Sequence, residues 1–345
     1  MGWQVLKKKS VTTLLLLTAF AAGGCASEPA AGEEGIVVEN IRVENYFNQG
    51  VNREVFTNVP ERVLVIGAAQ TETLLDLGVE DAIVAAVKYE DNARFPIKQS
   101  NKEAFDALPF LSRQELNTER VLNLHPDLII SEESWYSKNK LGRTDDWNRR
   151  GTHTMVTLSS TAPAKSKEPE TVEREMQYIA DLGRIFHEEA QAEHIVQDTM
   201  GRLQDIRDRT ADQKRPKVMI LDLLSSGIVS YGKNKIAGDI ATHLGAVVPD
   251  TTAVISEEEL MAENPDVVFV VTYDEAEKEL QQLREKPAFQ HLSFIEQGHL
   301  YSIPLKYVYG PMTRIIDAAG YMGACMYPGL VSYEKEYDFH ASRNE

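Results

Sequence analysis

The sequence predicts an α/β protein of two lobes, each with a central, mainly parallel sheet flanked by helices, joined by a long backbone helix. Three observations lead there. Short apolar runs bounded by turn residues alternate with helical segments, the pattern of strands buried on both faces. The middle of the chain, residues 168–210, carries an apolar stripe at helical spacing. One module, a short helix stopped by Pro-Asp and followed by a buried strand, occurs once on each side of that stripe.

The 345 residues suffice for two domains of ordinary size, and 43% hydrophobic with 26% charged residues is the composition of a soluble globular protein. The formal charge is −17. Removing Lys7, Lys8 and Lys9 of the leader takes it to −17 − 3 = −20. So acidic a surface argues against nucleic acid and against an electrostatically held membrane protein. Two cysteines, Cys25 and Cys325, exclude a disulfide framework.

Residues 1–25 read as a targeting leader: three lysines, a short apolar run from Val11 to Ala22, then Gly23, Gly24 and Cys25. The run is too short to span a bilayer comfortably. Residues 26–35 are small and acidic, a flexible tether. The N-terminal lobe is assigned to 36–165. It opens with two edge strands around 36–43 and 54–57. A buried strand at 62–67 and a helix at 72–77 follow, with Gly78 as its C-cap, and a strand at 83–87 then leads to Lys88 and Tyr89.

The repeated module appears first at 118–131, where Pro126-Asp127 separates a helix from the strand 128–131. It returns at 257–271 around Pro265-Asp266. Each copy has a carboxylate, Glu119 or Glu258, seven residues before its proline. Between the copies, residues 147–158 read as a helix end, a turn at Gly151 and a strand. The connecting helices occupy 166–210, with Pro169 in the first turn of a helix ending at Phe186 and a break near His187. The C-terminal lobe, 211–333, takes strands at 217–224, 267–271 and 300–303, a helix at 236–244 and a closing helix at 312–326. The charged tail, 334–345, is expected to fray.

The segments Pro60 to Gly78 and Leu116 to Ile130, with Glu258, Asn264 to Val268, Leu300 to Pro304 and Arg314 to Asp317, together resemble substrate-binding lipoproteins of ABC importers for iron–siderophore complexes, haem and cobalamin. The similarity covers roughly residues 36–333, and it is the order of the motifs that makes it specific. It implies a rigid helix between two lobes, a ligand in the cleft, and no enzymatic activity. It further implies that Glu119 and Glu258 engage arginines of a permease that works with its ATPase. The run Ala22-Gly23-Gly24-Cys25 is similar to a bacterial lipobox, although leucine is commoner where Ala22 stands. It implies lipidation at Cys25 and anchoring at the outer face of the cytoplasmic membrane or in the periplasm. The alternative is a plain secretory leader cleaved near Cys25.

Ligands of parallel sheets gather beyond the carboxyl ends of strands. The residues expected there are Ala68 to Gln70, Tyr89, Trp135 and Tyr136 in the first lobe, and Ser225, Tyr231, Tyr273, Tyr307 and Tyr309 in the second. Of these Tyr89, Trp135, Tyr231, Tyr273 and Tyr309 are taken as ligand residues, with Arg314 either contacting an anionic ligand or pairing with Asp317. Lys88, Arg94 and Lys233 are expected to be solvated. A cleft of aromatic faces and hydroxyls favours an iron(III)–siderophore complex over haem or cobalamin. No cofactor is expected, and a monomer is. The eight histidines show no metal-binding spacing. No nucleophile elbow, Walker loop or dinucleotide fingerprint occurs, which leaves a chelatase-like tetrapyrrole or metal enzyme on a similar scaffold as the rival from another class.

Overall fold

The computed structural model describes residues 35–88, 95–159, 168–273, 276–333 and 336–342. Cys25, the leader and the tether up to residue 34 lie outside them, as does Tyr89. Gly35–Glu345 forms one compact unit.

In chain order the elements are β1 (Ile36–Glu44), β2 (Phe47–Phe56), β3 (Val63–Ile66), α1 (Ala68–Leu77), β4 (Ile83–Lys88), α2 (Lys102–Ala107), β5 (Phe110–Ser112), α3 (Thr118–Leu124), β6 (Leu128–Ser131), α4 (Thr144–Asn148) and β7 (His153–Val156). Next come α5 (Val172–Phe186), α6 (Glu189–Arg209), β8 (Val218–Leu224), β9 (Gly227–Ser230), α7 (Ile236–His243), β10 (Val254–Ile255), α8 (Glu257–Glu263) and β11 (Val267–Thr272). The chain finishes with α9 (Ala276–Arg284), α10 (Ser293–Glu296), β12 (Leu300–Pro304), α11 (Ile315–Met326) and α12 (Phe339–Ser342). No helix among the described residues is long and apolar enough to cross a membrane.

The N lobe holds a sheet of order β5-β4-β3-β6-β7, parallel throughout. The C lobe holds β10-β9-β8-β11-β12, with β8, β11 and β12 parallel and β9 and β10 antiparallel. The two edge strands expected at the start are instead one hairpin, β1 with β2. It reaches the N sheet through Asn40, whose side-chain amide both donates to the Val156 carbonyl (3.0 Å) and accepts from the Val156 N–H (2.8 Å).

Strand alternation assigns the layers. Val63, Val65, Leu128 and Ile130 face a core that also contains Ile179 and Leu182 of α5, Ile195 and Leu203 of α6, and Ile220 and Phe269 of the C sheet. Leu64, Ile66 and Ile129 face a separate core on the N lobe's outer side, and Met219, Leu221 and Val268 a third outside the C lobe. The lobes therefore share one interior, filled by helices held between the sheets.

The connection is a helix pair. The first helix starts at Val172, capped by the Thr171 hydroxyl, which accepts from Arg174 N–H (3.3 Å). Pro169 therefore lies ahead of the first turn rather than in it. His187 ends the helix in the left-handed region at φ 59°. Gly183 permits the close crossing of α6, since a Cβ there would lie 2.3 Å from the Ala192 Cβ.

The repeated module has the same construction twice. Helix α3 ends at His125 (φ 48°) and α8 at Asn264 (φ 42°), both left-handed, just before Pro-Asp. Asp127 then accepts from the Glu61 and Arg62 N–H groups at the entry to β3, and Asp266 from the Lys217 N–H at the entry to β8. The aspartate thus ties each module's strand to its neighbour.

Residues 336–342, expected to fray, pack back onto the body. Phe339 is 0% exposed. Tyr337 donates its N–H to Asp317 (2.7 Å) and its hydroxyl to Asp198 (2.6 Å), and a His340 ring nitrogen lies 3.0 Å from the Leu75 carbonyl. This strap joins the end of the chain to the helix that follows the first buried strand.

Candidate functional site

Parallel strands place their carboxyl ends on one edge of each sheet, and the loops leaving those ends form the cleft. From the N lobe come Glu132 and Glu133, directly after β6. From the C lobe come Asp222 near the end of β8, Tyr273 after β11 and Tyr309 after β12, while Tyr231, after the antiparallel β9 and level with Ile220 of β8, reaches Asp222 and Tyr273 from beside the sheet. Glu170 enters from the segment before α5 and meets Lys235 in a buried ion pair.

The C lobe's polar groups are organised around Asp222, which is 3% exposed. Its Oδ2 accepts from the Tyr273 hydroxyl at 2.7 Å, while Oδ1 is buried with no hydrogen-bond partner among the described residues. Burial pushes its carboxyl above the usual range, and the Tyr273 hydrogen bond opposes that. Tyr231 is 5% exposed, and its N–H bonds the Ile220 carbonyl. Burial first, then the charges of Asp222 and Glu170 and the neighbouring Tyr273, raise its hydroxyl's pKa. Tyr309 is half-buried, and its hydroxyl is likewise raised by burial and then by Glu132 of the opposite lobe. Glu132 itself is pushed up to about 7 by desolvation, against the pull of the Ser134 hydroxyl and the Arg113 and Lys140 charges. Burial drives the Glu170 carboxyl up and the Lys235 ammonium down, each toward neutrality, while their mutual attraction resists. Among the described residues, then, the cleft offers phenols and desolvated carboxylates.

The expected ligand residues divide. Tyr273 and Tyr309 are half-buried and retain accessible surface at the strand ends. Trp135 is 2% exposed within the N lobe's outer core, with Lys140 Nζ 4.6 Å and Arg113 Cζ 5.6 Å from its ring. That places the indole in the lobe's interior rather than on an open wall.

Arg314 takes neither role envisaged for it. It is 3% exposed, and its guanidinium donates to both oxygens of Glu72 in the N lobe, to Glu336 in the strap (2.6 Å) and to the Pro96 carbonyl (2.6 Å). Its partner is Glu72, across the lobe junction, rather than Asp317 in its own helix. Lys98 pairs with Asp76 beside it at 2.8 Å, both side chains enclosed, and Lys306 joins Glu336. Burial works against the Lys98 charge, yet Asp76, Glu72 and Asp317 outweigh it and hold its pKa up. Lys233 is solvated as expected and pairs with Asp250.

Glu119 and Glu258 are both exposed, each the second residue of its helix. The hydroxyl of Thr118, at the start of α3, bonds the Lys140 carbonyl in the loop after β6, so Glu119 sits at the cleft edge of the N lobe. Ser256, which caps α8, directly follows β10, which pairs with β9. Of three consecutive acids there, Glu257 bridges Lys286 and Glu259 closes the capping box on Ser256 N–H. Glu258 is left directed to solvent.

Asp222 and Glu132 were not singled out from the sequence. The available signal was an acid interrupting the apolar run 218–224, and a Glu-Glu pair directly after a buried strand.

Comparison with known proteins agrees with this architecture. Over 315 residues the chain is 24% identical to an iron-uptake system-binding protein of Bacillus subtilis, covering 86% of this chain and 90% of that one. It is 19% identical over 296 residues to the Fe(3+)-citrate-binding protein YfmC of the same organism, covering 85% and 88%. The crystal structure of a periplasmic binding protein from Veillonella parvula superposes with a TM-score of 0.76 at 27% identity, covering 87% and 93%. The periplasmic binding protein family model matches residues 63–307, from the first buried strand to the loop after the last, and the chain belongs to that family.

Proposed function

We propose that this protein captures a metal chelate outside the cytoplasmic membrane and delivers it to an ABC import permease, and that the chelate is an iron(III)–siderophore complex. One observation carries the reading: Tyr231, Tyr273 and Tyr309, from three separate segments of the C lobe, neighbour one another, and Tyr309 faces Glu132 of the N lobe, the two lobes sharing a core. Phenols supply flat faces and hydroxyl donors to the oxygen-rich rim of such a complex. The names of the Bacillus relatives, both concerned with iron, support the choice of metal. Because Arg314 is engaged between the lobes, Tyr273 and Tyr309 take first place among the ligand residues; Tyr89, outside the described residues, is kept as a ligand residue on its sequence position alone. Glu119 and Glu258 dock the permease, and a lipid on Cys25 holds the protein at the membrane.

Titrating intrinsic fluorescence with ferric hydroxamate, catecholate and citrate complexes, haem and cobalamin tests this. Saturable quenching by a ferric complex at about micromolar Kd, weakened about tenfold in Tyr309→Ala, is expected. Binding of haem or cobalamin alone overturns the ligand, and turnover of a tetrapyrrole overturns the transport role.

A further inference from the structure

Away from the cleft, Glu173, Asp239 and His243 converge where the connecting helix meets the C lobe. Among the described residues this is the one place where three such donors lie within 4.8 Å of one another. Glu173 stands in the first turn of α5, while Asp239 and His243 stand one turn apart on the same face of α7. His243 Nε2 lies 3.1 Å from a Glu173 oxygen and 3.6 Å from Asp239 Oδ2. The Asp239 carboxylate is held in place by the Val172 N–H, which donates to Oδ2 at 2.8 Å.

We propose that these three side chains form a binding site for a divalent transition-metal ion of the Zn²⁺ type. With metal–N and metal–O bonds of about 2.0–2.2 Å, neighbouring donor atoms stand about 3.0 Å apart at a right angle and about 3.4 Å apart at a tetrahedral angle. The 3.1 Å spacing to Glu173 falls in that range, and the 3.6 Å spacing to Asp239 lies just beyond its upper end. An imidazole Nε2 carries at most one hydrogen, so it cannot donate to two carboxylates on different helices, whereas a cation engages all three donors. The neighbouring cations are committed elsewhere, Lys235 to Glu170 and Arg174 to Glu168. One imidazole with two carboxylates suits Zn²⁺ and its borderline neighbours rather than Ca²⁺, which takes oxygen ligands alone. Glu173 is exposed and the other two are half-buried, so water completes the coordination. The ion ties the first turn of the connecting helix to the C lobe, independently of what the cleft binds.

The test is calorimetric titration of the purified chain with Zn²⁺, with Ca²⁺ as comparison, on the wild type, Glu173→Gln, Asp239→Asn and His243→Ala. One Zn²⁺ per chain with a Kd of about 10 µM or tighter is expected. Each variant should weaken it at least about tenfold, as removing a ligand does, while metal-free thermal unfolding stays close to wild type in the Gln and Asn variants. Asn at 239 keeps an acceptor for the Val172 N–H, so a loss of Zn²⁺ binding there separates ligation from helix capping. No saturable uptake, uptake indifferent to all three substitutions, or equal affinity for Ca²⁺ overturns the assignment.

Discussion

Replacing Arg314 with Met removes a cation from the lobe junction and keeps most of its length. The side chains of Arg314 and Glu72 are 3% and 2% exposed, so solvent does not screen the pair. After the change Glu72 retains the Lys98 N–H at 2.6 Å but no guanidinium. Leaving one member of a buried pair uncompensated costs about 3–5 kcal/mol. The Pro96 carbonyl loses its donor, for about 1 kcal/mol more. Glu336 is partly exposed and keeps Lys306, so its share is small. The expected total is about 4–6 kcal/mol, read by urea unfolding followed with circular dichroism. Glu72→Leu alone should cost a similar amount. The double variant, which exchanges the pair for apolar groups, should cost at least about 2 kcal/mol less than the two singles added. A loss below about 1 kcal/mol for Arg314→Met, or strict additivity in the cycle, would refute the junction as described.

Three further expectations follow from the same geometry. Glu119→Ala with Glu258→Ala should leave ligand affinity within about twofold and lower uptake sharply, measured by transport in cells carrying the double variant. Glu175, enclosed and accepting from the Ser159 hydroxyl, is pushed up to about 7 by burial. The folded state then holds a proton that the unfolded state has released, so stability falls as pH rises from about 4.5 to about 7 and is flat above. Glu175→Gln should flatten that slope by roughly 2–4 kcal/mol between pH 4.5 and 7.5 in urea titrations. Phe339→Ala should cost about 3–5 kcal/mol in the same assay, since its ring is fully enclosed.

The two lobes were legible because strands buried on both faces, such as 63–66 and 267–271, read as unbroken apolar runs. The Pro-Asp modules were legible because stopping a helix and capping its start are local chemistry. The lining of the cleft was less so. An aromatic after a strand can face the cleft or the lobe's own core, and local pattern does not separate Tyr309 from Trp135. Arg314 escaped for a different reason: its partner Glu72 lies 242 residues away. The strap looked unstructured because its composition is charged, yet Glu336, Tyr337 and Phe339 each find a distant contact in the folded body.

The strap also sets an order of events during synthesis. The chain emerges from its N-terminus, so β3, α1 and Lys98 are available long before residue 336. Until residues 336–340 arrive, Arg314 lacks Glu336, the Leu75 carbonyl lacks His340, and the face of Lys98 that meets Phe339 stays open. The N lobe, made before the C lobe, is thus completed only after it. A fusion placed directly after residue 345 would sit a few residues from that final closure, so a purification tag belongs at the other end of the folded unit.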